Sequence, residues 1–244
     1  QDWFECACCP PNIARLFASL GDYIYSVSQD TLYAHLYIGG NAEIEIGGRK
    51  ISVSQSSKYP YQGDISFTVQ ADEPHRFKFA FRIPSWCRNY EIHVNGQKTE
   101  FENRNGYAFI DRTWNNGDRI HIIMDMPVEV IASNPKVRAN AGKVCIMRGP
   151  LVYCLEEADN GPNLSAISLC LGKELKTEYG NDLPEGTVVI TGEGVRTVEE
   201  GWDDVLYSSY RNIQTRPVKI RAIPYYLWGN RKEGEMQVWI RANN

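Results

Sequence analysis

Three cysteines, Cys6, Cys8 and Cys9, fall within four positions near the start of the chain and form its densest group of reactive side chains. Adjacent cysteines are poorly placed for a disulfide with each other, because the ring it would close is strained. They can, however, ligate the same metal ion. Zinc binds thiolates and prefers four ligands in a tetrahedron, but this group supplies at most three and lacks the C-x-x-C spacing. The sequence therefore leaves two interpretations open, a partial zinc site or buried structural thiols at a helix entrance.

The residues after the cysteines have the pattern of a helix over residues 11–20. Pro10 and Pro11 lie at its start, where a missing N–H is tolerated, and Gly21 follows its last apolar position. Apolar residues at the spacing i, i+3, i+4 and i+7 form one face: Ile13, Leu16, Phe17 and Leu20. The positive end of a helix dipole favours a thiolate. Cysteines at this position would therefore be good nucleophiles and good zinc ligands.

From residue 23 onward, apolar and polar residues alternate in short segments that are separated by turns. This pattern predicts a mainly β chain built as antiparallel sandwiches. The strongest turn signals are Gly47-Gly48 and Asn95-Gly96. Pro127 and Asn134-Pro135 interrupt the pattern and predict a domain boundary near residues 128–140.

The composition excludes several classes of protein. Of the 244 residues, 43% are hydrophobic and 23% are charged, which is typical of a globular protein. There are 26 basic and 30 acidic residues, so no strongly basic surface points to nucleic acid as a partner. No apolar run approaches the roughly 18–20 residues that a membrane span needs. The aromatic content of 11% suits a carbohydrate-active protein and an ordinary sandwich equally.

Other candidate functional residues are weaker. The adjacent carboxylates Glu156-Glu157 and Asp203-Asp204 could be compared with the two carboxylates of a glycosidase. Neighbours on a strand point to opposite faces, so we interpret both pairs as solvated loop charges. The four histidines stand singly and are interpreted as surface or sheet residues: His35, His75, His93 and His121. The other cysteines are interpreted as small core residues: Cys87, Cys145, Cys154 and Cys170.

The cysteine segment resembles that of a known enzyme family. Residues 8–15, with the sequence Cys-Cys-Pro-Pro-Asn-Ile-Ala-Arg, are similar to the zinc–cysteine segment of the β-L-arabinofuranosidase family of glycoside hydrolases. The likeness continues over nearly the whole chain, at Arg82-Ile83-Pro84-Ser85-Trp86, Val94-Asn95-Gly96, Arg148-Gly149-Pro150 and Ile223-Pro224-Tyr225-Tyr226.

The resemblance implies an architecture in which an (α/α)₆ barrel precedes two β-sandwiches, the second inserted in the first. Residues 1–24 would then be the end of the catalytic barrel. Residues 25–130 and 226–244 would form the first sandwich, and residues 131–225 the second. The chain does not begin with Met, and we expect it to be part of a longer protein whose missing barrel is its natural packing partner. Without that barrel we expect an exposed apolar surface on the first sandwich and on the helix. We therefore expect the apolar face of the helix to be covered by the sandwich or by another chain, or the helix to fray.

The resemblance also implies a mechanism. Cys8 corresponds to the nucleophile and a zinc ligand, and Cys9 to a second zinc ligand. The other two ligands and the acid/base glutamate would lie upstream of this chain. These correspondences imply that the parent protein is a retaining exo-glycosidase acting on arabinofuranosyl glycans. The fragment alone would be inactive and would bind zinc poorly. The alternative is a non-catalytic β-sandwich module that braces a barrel or binds glycan.

Overall fold

The chain changes from helix to strand at Tyr25, close to the position that the sequence predicts. The computed structural model describes residues 6, 8–184, 186–202, 205–210 and 213–243. The chain forms two compact units, Gln1–Asp125 and Met126–Asn244. Among the described residues, no helix is both long enough and apolar enough to cross a lipid bilayer.

The helix at the start of the first unit, α1, spans Cys9–Ser19 and begins two residues before the predicted position. A 3₁₀ turn, Leu20–Tyr23, continues it, so Gly21 does not end the helix in the left-handed conformation. No residue of α1 is buried, and Phe17 is 69% exposed. The expectation that the apolar face is covered is therefore not met within this chain.

The first unit continues with strands in two sheets. The strands are β1 Tyr25–Ser28, β2 Thr31–Ala34, β3 Gly40–Ile46, β4 Arg49–Ser57, β5 Asp64–Gln70, β6 His75–Arg82, β7 Tyr90–Val94, β8 Gln97–Lys98, β9 Glu102–Arg104, β10 Tyr107–Trp114 and β11 Arg119–Met124. One sheet has the order β1-β2-β6-β10-β9 and the other the order β3-β4-β5-β11-β7-β8. Most neighbours are antiparallel as predicted, but β2 pairs with β6 in parallel.

The two sheets share one hydrophobic core, which makes this unit a β-sandwich. Phe67 on β5 packs against Phe79 and Phe81 on β6, with ring centroids 5.5 and 5.1 Å apart. Trp114 is fully buried beside them, and its indole N–H donates to the carbonyl of Phe77 at 3.1 Å. The alternation seen in the sequence places these side chains on the inner faces of the sheets.

The predicted turns are confirmed by their backbone angles. Gly47 and Gly48 connect β3 to β4 with φ values of 58° and 73°, and Asn95 and Gly96 connect β7 to β8 with 53° and 80°. Both central residues of a two-residue hairpin of this kind need positive φ, which glycine and asparagine adopt most easily. Asp118 supports the second turn, because its carboxylate accepts a hydrogen bond from the Asn95 side chain at 2.8 Å.

The second unit is a single nine-stranded sheet. Its elements are β12 Val128–Ala132, β13 Lys143–Arg148, β14 Leu151–Glu156, α2 Glu157–Asn160, β15 Ile167–Cys170, β16 Lys176–Tyr179, β17 Val188–Thr197, β18 Thr215–Pro224, β19 Met236–Gln237 and β20 Ile240–Asn243. The hairpin from β13 to β14 turns at Gly149, whose φ is 56°, and closes the ring β13-β20-β15-β17-β18-β14. The unit is therefore barrel-like, whereas we expected a second sandwich of two sheets.

The resemblance predicts that residues 226–244 return to the first sandwich. The structure contradicts this prediction, because their last strand lies in the second unit. Strand β20 pairs antiparallel with β13 and in parallel with β15. Ile240 is buried in the core of the second unit, together with Val144 and Leu169. The boundary between the units lies between Asp125 and Met126, rather than between residues 130 and 131, because β12 already pairs with β13.

The seven cysteines all lie among the described residues, and all are free thiols. Cys87, Cys145 and Cys154 are buried, which confirms their interpretation as core residues, whereas Cys170 is partly exposed. Cys154 packs against Val189 on the face of β14 opposite Tyr153. Burial raises the pKa of its thiol to about 12, and the neighbouring carboxylate of Glu156 acts in the same direction.

We predict that stability falls at alkaline pH partly because of Cys154. An unfolded thiol loses its proton near pH 9, whereas the folded thiol keeps it until about pH 12. Over this window the unfolded state binds fewer protons, so the free energy of unfolding falls by up to about 1.4 kcal/mol per pH unit. Urea titrations should give a flatter profile from pH 9 to 12 for Cys154→Ala than for the wild type or Cys170→Ala. Parallel profiles would contradict this.

Candidate active-site segment

Cys8 and Cys9 lie together at the beginning of α1. Cys8 is the N-cap residue, Cys9 is the first helical residue, and both side chains are exposed. The amide of Asn12 donates to the carbonyl of Cys8 at 3.2 Å, which closes the first turn of the helix. The two Sγ atoms are 3.7 Å apart. The structure therefore brings together the two residues that the sequence selected.

The distance between the two sulfurs suits a shared zinc ion. Two thiolates bound to one tetrahedral zinc at about 2.3 Å lie about 3.8 Å apart. The observed 3.7 Å matches this value, and thiolates are ligands that zinc prefers. Within the described part of the chain, no group of three or more potential ligands comes together. This segment can therefore supply two of the four ligands.

The start of the helix also has a particular electrostatic character. No acidic side chain lies in the first turn of the helix, all of whose residues are described, so none of them offsets the positive end of the helix dipole. Pro10 and Pro11 have no N–H, and the N–H of Asn12 is already bonded to Cys8. The proline rings fix the backbone of the turn that follows Cys8.

Cys6 is exposed too. The described hydrogen bonds link Cys8 to Cys9 and do not include Cys6. The structure thus separates a closely spaced pair from a third thiol, whereas the sequence alone leaves all three as candidate ligands.

The histidines have structural partners. His75 bonds to the carbonyl of Ile46 at 3.0 Å, and His35 contacts Ser26 and Tyr107 at 2.7 Å each. His93 and His121 lie next to carboxylates, Glu91 and Asp64 respectively.

The interpretation of Glu156 as a solvated loop charge is wrong. Glu156 is the last residue of β14 and only 3% exposed. It accepts hydrogen bonds from Nη2 of Arg231 at 2.5 Å and from the amide of Gly229 at 2.9 Å. The other acidic pair, Asp203-Asp204, lies outside the described residues.

Glu156 belongs to an arginine–carboxylate cluster with Asp159, Asp182, Arg221 and Arg231. Arg231 also bonds to Asp159 at 2.5 Å and to Asp182 at 2.6 Å, and Arg221 bonds to the same two aspartates at 2.7 and 2.6 Å. The hydrogen bond to Asp159, together with the other carboxylates, raises the pKa of the Arg231 guanidinium. Because each of its three carboxylates bonds to at least one of the two arginines, we interpret the cluster as a structural link between β14 and β18.

The two structural units match two family models. Residues 31–126 match the model described as the β-L-arabinofuranosidase, GH127 middle domain. Residues 128–241 match the model of the glycoside hydrolase family 127 C-terminal domain. The two matches meet at Pro127, next to the boundary between the units.

Characterised relatives and solved structures resemble the chain along its length. A non-reducing end β-L-arabinofuranosidase of Bifidobacterium longum subsp. longum is 36% identical over 98% of the chain and 38% of the relative. The crystal structure of Ara127N, a GH127 β-L-arabinofuranosidase from Geobacillus stearothermophilus T6, is 48% identical, with a TM-score of 0.93 over 100% of the chain and 38% of its own. A further GH127 β-arabinofuranosidase is 33% identical, with a TM-score of 0.87 over 100% of the chain and 40% of its own.

Both units of the chain thus correspond to domains of a glycoside hydrolase. The chain belongs to glycoside hydrolase family 127 and carries that family's middle and C-terminal domains. It spans about two fifths of the length of the relatives it matches, from 38% to 41%.

We predict that the arginine–carboxylate cluster stabilises the second unit. Arg231→Ala leaves the buried carboxylate of Glu156 without its charged partner, which should lower the free energy of unfolding by about 3–5 kcal/mol. Lys173→Ala is the matched control, because Lys173 contacts Glu193 at 3.9 Å with both side chains more than 60% exposed. The control should change stability by less than about 0.5 kcal/mol. Equal urea midpoints for the two variants would contradict the assignment.

Proposed function

We propose that this chain is the C-terminal part of a retaining exo-glycosidase that hydrolyses β-L-arabinofuranosides or a related plant-glycan sugar, with Cys8 as the nucleophile. The observation that carries the proposal is the placement of Cys8 at the start of α1 with its Sγ 3.7 Å from that of Cys9. The activity named for the relatives from Bifidobacterium longum and Geobacillus stearothermophilus supports the choice of sugar.

In this proposal Cys8 acts as the resemblance to the β-L-arabinofuranosidase family implies. Its thiolate attacks the anomeric carbon, a carbon–sulfur bond forms, and the bond from that carbon to the leaving oxygen breaks. The leaving oxygen takes a proton from an acid outside this chain. Water then attacks that carbon from the opposite side and gives its proton to a base outside this chain, the carbon–sulfur bond breaks, and the thiolate of Cys8 is regenerated. Two such inversions retain the configuration at the anomeric carbon.

Cys8 and Cys9 would hold a zinc ion between them in the complete protein. Zinc bound there stabilises the thiolate form of its cysteine ligands near neutral pH. The Sγ–Sγ distance and the exposed position of both side chains support this arrangement. Two further ligands and the acid/base glutamate are assigned to the part of the parent protein that precedes this chain, so the chain alone is inactive.

The exposed face of α1 supports a packing role for that missing part. Ile13 and Leu16 are each 55% exposed and Phe17 is 69% exposed, an arrangement that leaves apolar area in water. Burial of each of these side chains is worth about 1.5–3 kcal/mol. We assign α1 to the wall of an N-terminal helical barrel, which would cover this face and complete the site around Cys8.

The alternative is a non-catalytic module that braces a barrel or binds glycan. The exposed aromatic residues of the second unit, among them Tyr225 and Trp228 at 46% each, favour glycan binding as an additional role. Such a role is compatible with catalysis elsewhere in the parent.

We predict that Cys8→Ala in the full-length parent abolishes release of L-arabinofuranose from an aryl β-L-arabinofuranoside. The change removes the nucleophile and one zinc ligand. Cys8→Ser should recover little activity, because a hydroxyl is a much weaker nucleophile at neutral pH. Cys9→Ala should also lose activity, with partial rescue by added zinc.

Cys6→Ala is the matched control, because Cys6 is an exposed thiol of the same segment that does not join the pair in a group of three potential ligands among the described residues. Circular dichroism should show that every variant keeps its strands. If the Cys8→Ala parent turns over at a near wild-type rate, the thiolate mechanism is wrong for this protein.

Zinc affinity gives a separate test. The 244-residue chain should bind zinc weakly, since two thiolates cannot complete a tetrahedral site, whereas the parent should bind one equivalent tightly. Competition with a chromophoric chelator measures both affinities. Replacing Cys9 by Ser in the parent should weaken binding by at least about tenfold. An equimolar, chelator-resistant zinc ion in the isolated chain would show that a local site exists without the barrel.

A further inference from the structure

An open groove of about 990 Å³ lies in the second unit, and the proposed reaction does not use it. The residues that give it its chemistry are Asn140, Lys143, Tyr225, Glu235, Gln237 and Trp239. They come from the start of β13 and the segment just before it, from the 3₁₀ turn Tyr225–Leu227 after β18, and from the segment around β19.

Two aromatic side chains, Tyr225 and Trp239, line the groove, and Trp228, which does not line it, stacks on Tyr225. The rings of Tyr225 and Trp228 stack with centroids 6.3 Å apart and an interplanar angle of 19°, and each residue is 46% exposed. The turn that carries them is fixed, because Leu227 between them is buried and the amide of Trp228 donates to the carbonyl of Tyr225 at 3.1 Å. The result is a rigid apolar platform that faces water.

Polar side chains next to the platform are held in place but not saturated. Oε2 of Glu235 accepts a hydrogen bond from the amide of Leu164 at 2.7 Å, and Nε2 of Gln237 donates to the carbonyl of Trp239 at 2.7 Å. Among the described residues, no hydrogen bond occupies the other oxygen of Glu235, the Oε1 of Gln237 or the indole N–H of Trp239. These groups are preoriented donors and acceptors at the groove.

The combination identifies a class of ligand. Lys143 and Glu235 contribute one positive and one negative charge, so the groove suits a neutral molecule. Aromatic ring faces pack against the C–H faces of sugars, and fixed carboxylate and amide oxygens accept hydrogen bonds from hydroxyl groups. We propose that this groove is a second, non-catalytic binding site for a neutral oligosaccharide. That the sugar is arabinofuranose rests on the proposed function.

The site would hold a glycan chain independently of the reacting residue. Two sites on one protein raise the effective concentration of a polymeric ligand at each of them. A small substrate gains nothing from this effect, because it cannot reach both sites. The proposal therefore predicts a difference between polymeric and small substrates.

Titration calorimetry of the 244-residue chain with linear arabino-oligosaccharides tests binding directly, because the chain lacks the barrel. Tyr225→Ala and Trp239→Ala should each weaken binding by roughly tenfold, which corresponds to about 1.4 kcal/mol. Tyr225→Phe should bind like the wild type, since it keeps the ring. Tyr179→Ala is the matched control, because Tyr179 is 66% exposed in the same unit but outside the groove.

In the full-length parent, Trp239→Ala should lower the rate on arabinan-type polymer and leave turnover of an aryl β-L-arabinofuranoside unchanged. Thermal unfolding checks that each variant is folded. If Trp239→Ala does not fold, the comparison of Tyr225→Ala with Tyr225→Phe tests the proposal instead. Absence of saturable binding by the chain would overturn the proposal. So would a loss of affinity in Tyr179→Ala equal to that in Tyr225→Ala, or the same rate on polymer for the Trp239→Ala parent and the wild type. If the parent cleaves no arabinofuranoside but the chain binds another neutral oligosaccharide, the proposed function fails and the site stands.

Discussion

The face-to-face contact of apolar side chains from two sheets is the interaction on which the first unit depends. Phe67 of one sheet meets Phe79 and Phe81 of the other, and every strand must keep its register for this contact to exist. A shift by one residue would turn the whole apolar set of a strand toward water. The hairpin turns at Gly47-Gly48 and Asn95-Gly96 fix that register by their positive φ angles. The sandwich begins at Tyr25, so the helical segment that carries the cysteines ends before it, at Tyr23.

Local patterns carry most of the information about elements. The alternation in β6 and β11 and the spacing along α1 are enough to predict these elements from sequence, because each period follows from local geometry. Strand β16 could not be predicted, since all four of its residues are exposed and its sequence does not alternate. The ring of the second unit was missed for another reason. Its closure depends on the pairing of β20 with β13 and β15, two strands that lie much earlier in the sequence.

In the candidate site, too, some features can be predicted from the local sequence and others depend on the three-dimensional structure. The types and positions of Cys8 and Cys9, just before a proline-headed helix, point to metal and nucleophile chemistry from sequence alone. Their sulfur–sulfur distance, and the separation of Cys6 from the pair, depend on backbone and side-chain angles that the sequence does not display. Glu156 was misjudged because its partner, Arg231, lies 75 positions later. No local signal distinguishes a carboxylate that is buried against such a partner from one in solvent. The groove could not be predicted from the sequence either, since its lining residues come from segments that only the closed sheet brings together.

The position of the final strand has a consequence for how the protein folds during synthesis. All strands of the first unit have been translated once Asp125 is reached, so this sandwich can fold while the rest of the chain is still being made. The second unit cannot do so, because β20 fills the gap between β13 and β15 and follows all the other described strands of the unit in the chain. Until residue 243 has left the ribosome, β13 and β15 expose unpaired edges that can join other chains. Truncations that remove only a few residues after β19 should therefore yield aggregates, although they touch neither the cysteines nor the sandwich.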